Sequence, residues 1–241
     1  IATPATHHFS IAKTALEAGK HVLLEKPMTR TLKEAERLKS TVGHSGRIFM
    51  VGHQYLYNDH LRYLKNELEK GTFGKILYVL AEHLYPGPVR KDVGCFWETA
   101  THELAIIDYL FSPPKIRKVQ GSMRDLTGSG LDDFASVWIE FEKTPPVSVT
   151  VSWMYPEKIR RLAIVGEKGS AVFDEQKDEK LKFYLGEKIL VPQIAAGEPL
   201  RNELEHFIKC VREGKKPLTD IEHGVRITEY LDVIHQKVYR V

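Results

Sequence analysis

The stretch Ala15-Leu16-Glu17-Ala18-Gly19-Lys20-His21-Val22-Leu23-Leu24-Glu25-Lys26-Pro27 packs the end of a helix, a turn and a buried strand into one short run. Ile11, Ala12, Ala15 and Leu16 recur at helical spacing, which predicts a helix from about His7 to Ala18 with Gly19 as its stop. His21 to Leu24 is a continuous apolar run of strand length, and Glu25-Lys26-Pro27 sits directly at its C-terminal end. Upstream, Ile1-Ala2 closes another apolar stretch and leads into Thr3-Pro4. Downstream, Thr31-Leu32-Lys33-Glu34 has capping-box spacing, since Thr31 can accept from a free amide while Glu34 reaches back. The helix it opens turns Leu32, Ala35, Leu38 and Val42 inward, with a stop expected at Gly43 and a further strand over Arg47 to Gly52. Strand and helix in alternation give parallel strands with crossover helices. Residues 1–53 therefore read as half of a doubly wound nucleotide-binding sheet, a partial dinucleotide-binding domain.

From residue 54 the pattern changes. Leu61–Lys70 reads as a polar helix ending at Gly71, Lys75–Tyr85 as a strand, and Glu98–Phe111 as a helix closed by Ser112-Pro113-Pro114. Clean alternation follows. Ala135, Val137, Ile139 and Phe141 share one strand face, and Val147, Val149, Val151 and Trp153 share the next. Leu162–Val165 and Ala171–Phe173 flank Glu167-Lys168-Gly169 as a hairpin. Two amphipathic helices close the chain, the first carrying Leu200, Leu204, Phe207, Ile208 and Val211, the second Val225, Tyr230, Leu231 and Ile234 with a less regular period. The expected fold class is α/β plus α+β: the partial Rossmann sheet, then an α+β domain over 54–241 with a large, mostly antiparallel sheet for substrate binding and oligomerisation.

Composition narrows the function. The 241 residues carry 35 Lys+Arg against 32 Asp+Glu, a net charge of +3, with 42% hydrophobic residues. So small a net charge argues against a dedicated nucleic-acid or membrane surface. No apolar run approaches the ~18 residues of a membrane span. Cys95 and Cys210 have neither a C-x-x-C nor a zinc spacing, so reduced thiols and a cytoplasmic setting are expected. The 11 histidines include no H-E-x-x-H, and no metal site is expected. G-x-G-x-x-G, the P-loop and the G-x-S-x-G elbow are all absent.

Three constellations could carry chemistry. Thr3-Pro4 and Glu25-Lys26-Pro27 lie at strand C-terminal ends, where ligands bind in open α/β sheets; Lys26 there is a movable cation for a phosphate, a ribose hydroxyl or a developing alkoxide, or else a solvated loop residue. Glu98 and His102 are four apart and share a helix face, as a carboxylate orienting a general base or as an incidental surface pair. Trp153, Tyr155, Lys158, Arg160 and Arg161 form either a wall for an anionic ligand or a solvated strand face.

Taken together, Thr3-Pro4-Ala5-Thr6-His7-His8 followed by Ala15 through Pro27 resembles the Gfo/Idh/MocA oxidoreductase family, whose pattern is TPxxxH, a helix, then AlxaGkHVlvEKP. Gly52-His53, Tyr57 and Asn58 resemble its GHxxRFNP segment, with Leu56 in place of Arg and Asp59 in place of Pro. Glu98-Thr99-Ala100-Thr101-His102 falls at its Asp-x-x-x-His, one methylene longer at the acid. The resemblance implies an NAD or NADP enzyme acting on a sugar, sugar nucleotide or cyclitol hydroxyl carbon. By it, Lys26 contacts nicotinamide ribose and substrate, His102 is the acid/base and Glu98 its partner. Thr3, Pro4, His8, Glu25, Lys26 and Pro27 bind cofactor, and Tyr55, Trp153 and Arg160 join Lys26 and His102 in binding substrate. Val151–Pro156 with Lys158, Arg160-Arg161 and Val165-Gly166 resembles a subgroup for nucleotide-activated amino sugars, whose diphosphate would suit the basic cluster. The resemblance implies that the family's Gly-rich loop lies upstream of Ile1, in about 60 residues or somewhat more at ~30 residues per βαβ unit, which further upstream sequence, a misplaced gene start or a truncated protein would explain. A non-catalytic interaction protein and a redox-neutral NAD-dependent glycosidase are the alternatives. A homo-oligomer, dimer or tetramer, is expected from an exposed strand face.

Overall fold

A computed structural model describes residues 1–112 and 115–239. The Pro113-Pro114 helix stop lies outside them. Helix α1 spans His8–Glu17, strand β1 Val22–Glu25, α2 Leu32–Ser45 and β2 Phe49–Gly52. β1 and β2 pair in parallel, Val22 opposite Phe49 and Glu25 opposite Gly52. Ile1 extends this sheet on the other side of β1: its amino group donates to Leu23 O at 2.7 Å, and Glu25 N donates to Ile1 O at 2.9 Å. Thr31 Oγ1 accepts from Glu34 N at 3.2 Å as the capping box requires, but the Glu34 carboxylate takes Arg30 N at 3.1 Å rather than the Thr31 amide. The helix does not stop at Gly43; it runs to Ser45 and ends on Gly46, whose φ of +60° a glycine adopts without strain.

The remainder comprises α3 (Asp59–Glu69), β3 (Ile76–Pro86), α4 (Cys95–Phe111), β4 (Ile116–Arg124), β5 (Phe134–Phe141), β6 (Val147–Ser152), β7 (Met154–Gly166), β8 (Ser170–Asp174), β9 (Leu181–Leu185), β10 (Lys188–Leu190), α5 (Pro199–Glu213) and α6 (Ile221–Val238). The eight strands β3–β10 form one sheet in the order β10-β9-β8-β7-β3-β6-β5-β4. Only β3 and β6 pair in parallel; every other neighbour is antiparallel. The inward faces of β5 and β6 are those the alternation predicts, with Ala135, Ile139, Val147, Val149 and Val151 fully buried. α4 lies over that face and is buried on nearly every side, which is why its run Leu104-Ala105-Ile106-Ile107 shows no polar stripe. Its first turn is fixed from outside the helix. Cys95 N donates to Asp132 O at 2.7 Å, Phe96 N donates to Asp132 Oδ2 at 2.6 Å, and a Cβ on Gly94 would meet the same carboxylate at 2.0 Å.

α6 serves two cores. Ile221 and Val225 pack with Leu16, Leu24 and Leu38 around the small sheet. Ile227, Leu231, Ile234 and Val238 pack with the large one. The change of facing surface explains the irregular period of this segment. α5 differs from expectation more sharply. Its stripe Leu200, Leu204 and Ile208 is exposed while Glu203 and Cys210 are buried. Polar contacts decide which face turns in: Asn202 Nδ2 donates to Tyr57 O at 3.1 Å, and His206 Nε2 accepts from Leu218 N at 3.1 Å.

Glu203 is the consequence of that facing. Its Oε1 is buried without a partner among the described residues. Burial, aided by the charges of Glu25 and Glu198, pushes its carboxyl up to about 8. The native state thus holds a proton that the unfolded chain releases at ordinary carboxylate pH, so Glu203 costs stability progressively as pH rises from about 4.5 toward 8. Glu203→Gln should stabilise the protein by roughly 3 kcal/mol more at the upper end of this interval than at the lower end. Thermal melts across it test this; a pH-independent difference would place the proton elsewhere.

Candidate active site

Lys26 follows β1, and the Lys26–Pro27 peptide is cis. Its ammonium crosses to α4, donating to Glu98 Oε1 at 2.5 Å and to the Glu98 carbonyl at 3.1 Å. The Glu98 carboxylate also accepts from Thr99 Oγ1 at 2.9 Å and from the Tyr85 hydroxyl at 3.4 Å. Arg90 stands 3.8 Å away while gripping Asp92 with two nitrogens at 2.7 and 2.8 Å. Asp92 in turn accepts from Ala5 N at 3.3 Å. Burial would raise the Glu98 carboxyl, but the Lys26 charge and the bonds from Lys26 and Thr99 outweigh it and hold it below the usual range. Burial and the Glu98 charge push the Tyr85 phenol up to about 12, so Tyr85 stays a neutral donor. Three N–H groups on Lys26 and two partners among the described residues leave one donor for a ligand oxygen.

His102 sits one turn along α4, and here the sequence expectation needs correcting. Glu98 and His102 do share a helix face, but the carboxylate is taken by Lys26 and does not orient the imidazole. An i,i+4 pair loses to a full cation brought from 72 residues away. The His102 ring instead lies edge-on to Tyr55 at 5.0 Å and nearly parallel to His83 at 5.8 Å. Its Nδ1 is buried with no hydrogen-bond partner among the described residues. Burial, with the charges of Lys26, His83, His53 and Arg160 added, drives its pKa well below the ordinary histidine value. His102 is a neutral base in a site that already holds a cation.

The other expected residues divide. Tyr55 is beside His102, its hydroxyl donating to Glu175 at 3.0 Å and accepting from Arg160 Nη1 at 2.7 Å. Arg160 also reaches Glu175 at 3.0 Å. Arg161, one residue on, points to the opposite sheet face and pairs with Glu82 at 2.6 Å, as strand alternation dictates. Lys158 is exposed, so the basic group is split rather than clustered. Trp153 is 2% exposed and its indole donates to Thr99 Oγ1 at 3.2 Å; it is a core residue that steadies α4, not a binding wall. His8 is likewise sealed, its ring nitrogens 2.8 Å from Thr3 O and Pro27 O. It ties two strand-end loops together and cannot itself touch a dinucleotide. Thr3 and Pro4 are exposed, and the Glu25 carboxylate lies against Gly52, where a Cβ would come within 3.2 Å.

Residues that spacing alone does not reveal complete the site. His83 Nδ1 pairs with Glu103 Oε1 at 3.0 Å, and Tyr85 and Arg90 reach Glu98 from β3 and the segment after it. Alternation on β3 puts His83 and Tyr85 on the inward face, a signal present in the sequence; Arg90 carries none. The site suits the reactive end of a nicotinamide dinucleotide: a spare Lys26 donor, a neutral His102 with an orphaned nitrogen, and the exposed Thr3-Pro4 edge adjoin one another. Lys26, Thr3 and Pro4 are the residues that would hold that end.

Comparison with known proteins addresses the family and the fold. Residues 1–53 match the model of an oxidoreductase family with an NAD-binding Rossmann fold, and residues 61–172 match the Gfo/Idh/MocA C-terminal domain. The chain is 26% identical to the scyllo-inositol 2-dehydrogenase (NAD(+)) of Bacillus subtilis over 94% of its own length and 71% of the relative's. It is 24% identical to the UDP-N-acetylglucosamine 3-dehydrogenase of Acidithiobacillus ferrooxidans over 94% and 74%. Its fold superposes with a TM-score of 0.86, at 21% identity, on an Azotobacter vinelandii inositol dehydrogenase homologue solved with NADH and myo-inositol, covering 98% of this chain and 74% of that one. With both halves of the pattern matched in order along most of its length, the chain belongs to the Gfo/Idh/MocA oxidoreductase family.

Proposed function

We propose that the protein oxidises a hydroxyl-bearing carbon of a sugar, sugar nucleotide or cyclitol with NAD or NADP. The observation that carries this reading is the neutral, buried His102 one helical turn from the Lys26–Glu98 pair. A bound nicotinamide dinucleotide supplies the acceptor for hydride leaving the carbinol carbon. His102 takes the hydroxyl proton, and its lowered pKa keeps the imidazole free to do so at neutral pH. The remaining Lys26 donor faces the substrate oxygen and stabilises negative charge as it develops. Glu98 holds that ammonium in place, and Arg90 and Tyr85 hold Glu98.

Arg160 and Arg161 turn to opposite faces of the sheet, which favours a cyclitol or free sugar over a sugar nucleotide within that class. The expected result is reduced nicotinamide formed from at least one member of a panel of cyclitols, free sugars and UDP-sugars, offered with NAD+ and NADP+ in turn. Failure to bind either dinucleotide, with no turnover on any member, would overturn the reading. The outward face of the large sheet exposes Tyr78 and Leu80, which supports self-association; light scattering is expected to give the mass of two or four chains.

A further inference from the structure

A second row of polar groups lies beneath the site, and the reaction just described makes no use of it. Thr101 Oγ1 is 3.4 Å from His53 Nε2, His53 Nδ1 is 2.9 Å from His223 Nε2, and His223 Nδ1 is 3.2 Å from Asp108 Oδ2. The two imidazoles meet edge-on, 5.0 Å apart at 77°. The four residues come from α4, α6 and the turn after β2, and each is 1% to 4% exposed. Arg226 Nη2 at 3.0 Å and Nε at 3.3 Å, together with the Tyr230 hydroxyl at 3.4 Å, close the row around Asp108.

Donor and acceptor rules give the row a direction. Burial would raise the Asp108 carboxyl, but its bonds from His223 and Arg226 outweigh that and keep it ionised. It can then only accept, so His223 Nδ1 carries a hydrogen. With His223 neutral, its Nε2 is bare, His53 Nδ1 must carry a hydrogen, and the Thr101 hydroxyl donates to His53 Nε2. One extra proton reverses the row without breaking a contact. A charged His223 beside Asp108 donates from Nε2 to His53 Nδ1, and His53 donates from Nε2 to Thr101.

We propose that Thr101, His53, His223 and Asp108 form a proton relay that accepts one proton at its site end and holds it on His223 against Asp108. His102, holding the proton of the substrate hydroxyl, gives it up to Thr101 Oγ1 and returns to neutral, while the Thr101 O–H bond breaks and its hydrogen passes to His53 Nε2. As that N–H bond forms, His53 Nδ1–H breaks and its hydrogen bonds to His223 Nε2. No electron is gained or lost, and His53 is neutral before and after. Charge is driven away from His53 by its burial and by the nearby Lys26 ammonium. His223 faces Asp108, with Arg226 and Tyr230 behind it and Asp220 accepting from its backbone amide. Thr101 adjoins His102 in the chain. The relay rests on the proposed alcohol oxidation, which releases one proton per turnover.

Imidazole nitrogen NMR of the uniformly ¹⁵N-labelled chain, titrated between about pH 5 and pH 9, tests the relay without substrate or cofactor. At high pH both His53 and His223 should be Nδ1–H tautomers. As pH falls, His223 should gain its second proton and His53 should switch to the Nε2–H tautomer at the same midpoint, remaining neutral. Asp108→Asn should abolish both changes within that range. A His53 that keeps one tautomer throughout, charges itself, or switches apart from His223 overturns the relay, whatever becomes of the oxidoreductase reading. Should Asp108→Asn not fold, the wild-type titration alone decides. In turnover, His53→Gln is expected to lower kcat about tenfold with KM unchanged; an unchanged kcat at every pH would remove the relay from the reaction.

Discussion

Replacing His102 with alanine should lower turnover by about a thousandfold, within the range a positioned general base supplies, while leaving the fold intact. The His102 Nδ1 makes no hydrogen bond to the described residues, so the substitution breaks no polar contact there, and the neighbouring rings of Tyr55 and His83 are each anchored independently. Circular dichroism and the melting temperature should stay close to wild type as kcat collapses. The wild-type pH profile carries a second signature. Because the imidazole is driven well below its ordinary pKa, turnover should hold its plateau through pH 6.5 and fall only at clearly more acid pH. A variant with full activity would remove His102 from the chemistry. A plateau that breaks near 6.5 would show an unperturbed imidazole.

Lys26→Met should cost both activity and stability, and the two losses separate. Met fills the Lys stem but leaves the Glu98 carboxylate, whose side chain is 12% exposed, without its main partner. Breaking a buried ion pair from one side costs about 3 kcal/mol or more, partly offset here by Arg90, Tyr85 and Thr99. Turnover should drop by roughly a hundredfold or more as the donor for the developing alkoxide disappears. In Lys26→Met/Glu98→Gln the stranded charge is gone, so most of the stability should return while activity does not. Recovery of activity in the double variant would show that Lys26 serves only to neutralise Glu98. An unchanged rate in the single variant would remove Lys26 from the mechanism.

These expectations also show what the sequence could carry. Residues 1–53 were legible because each apolar run has one face and one length. Val22 and Leu24 are buried as a strand, and Ala35 and Leu38 as a helix, with glycines marking the turns. β4 was missed because Arg117, Lys118, Gln120 and Gly121 give it almost no apolar signal; of its residues only Met123 is buried. α5 misled because apolar spacing identifies a stripe but not what the stripe faces. At the site, Lys26, Glu98 and His102 stand out by motif, yet spacing within a helix could not show that Glu98 belongs to Lys26. Nor could it show that His53 and His223, 170 residues apart, meet at 2.9 Å. Partnerships of that kind depend on topology, and no local pattern encodes them.

Because α6 contributes its first two turns to one core and the rest to the other, neither core keeps a complete wall if the other dissolves. Loss of the small sheet would strip Ile221 and Val225 of their neighbours and fray the helix that covers β4. Calorimetry should therefore record a single endotherm, with van't Hoff and calorimetric enthalpies equal, in place of two transitions from parts melting in turn.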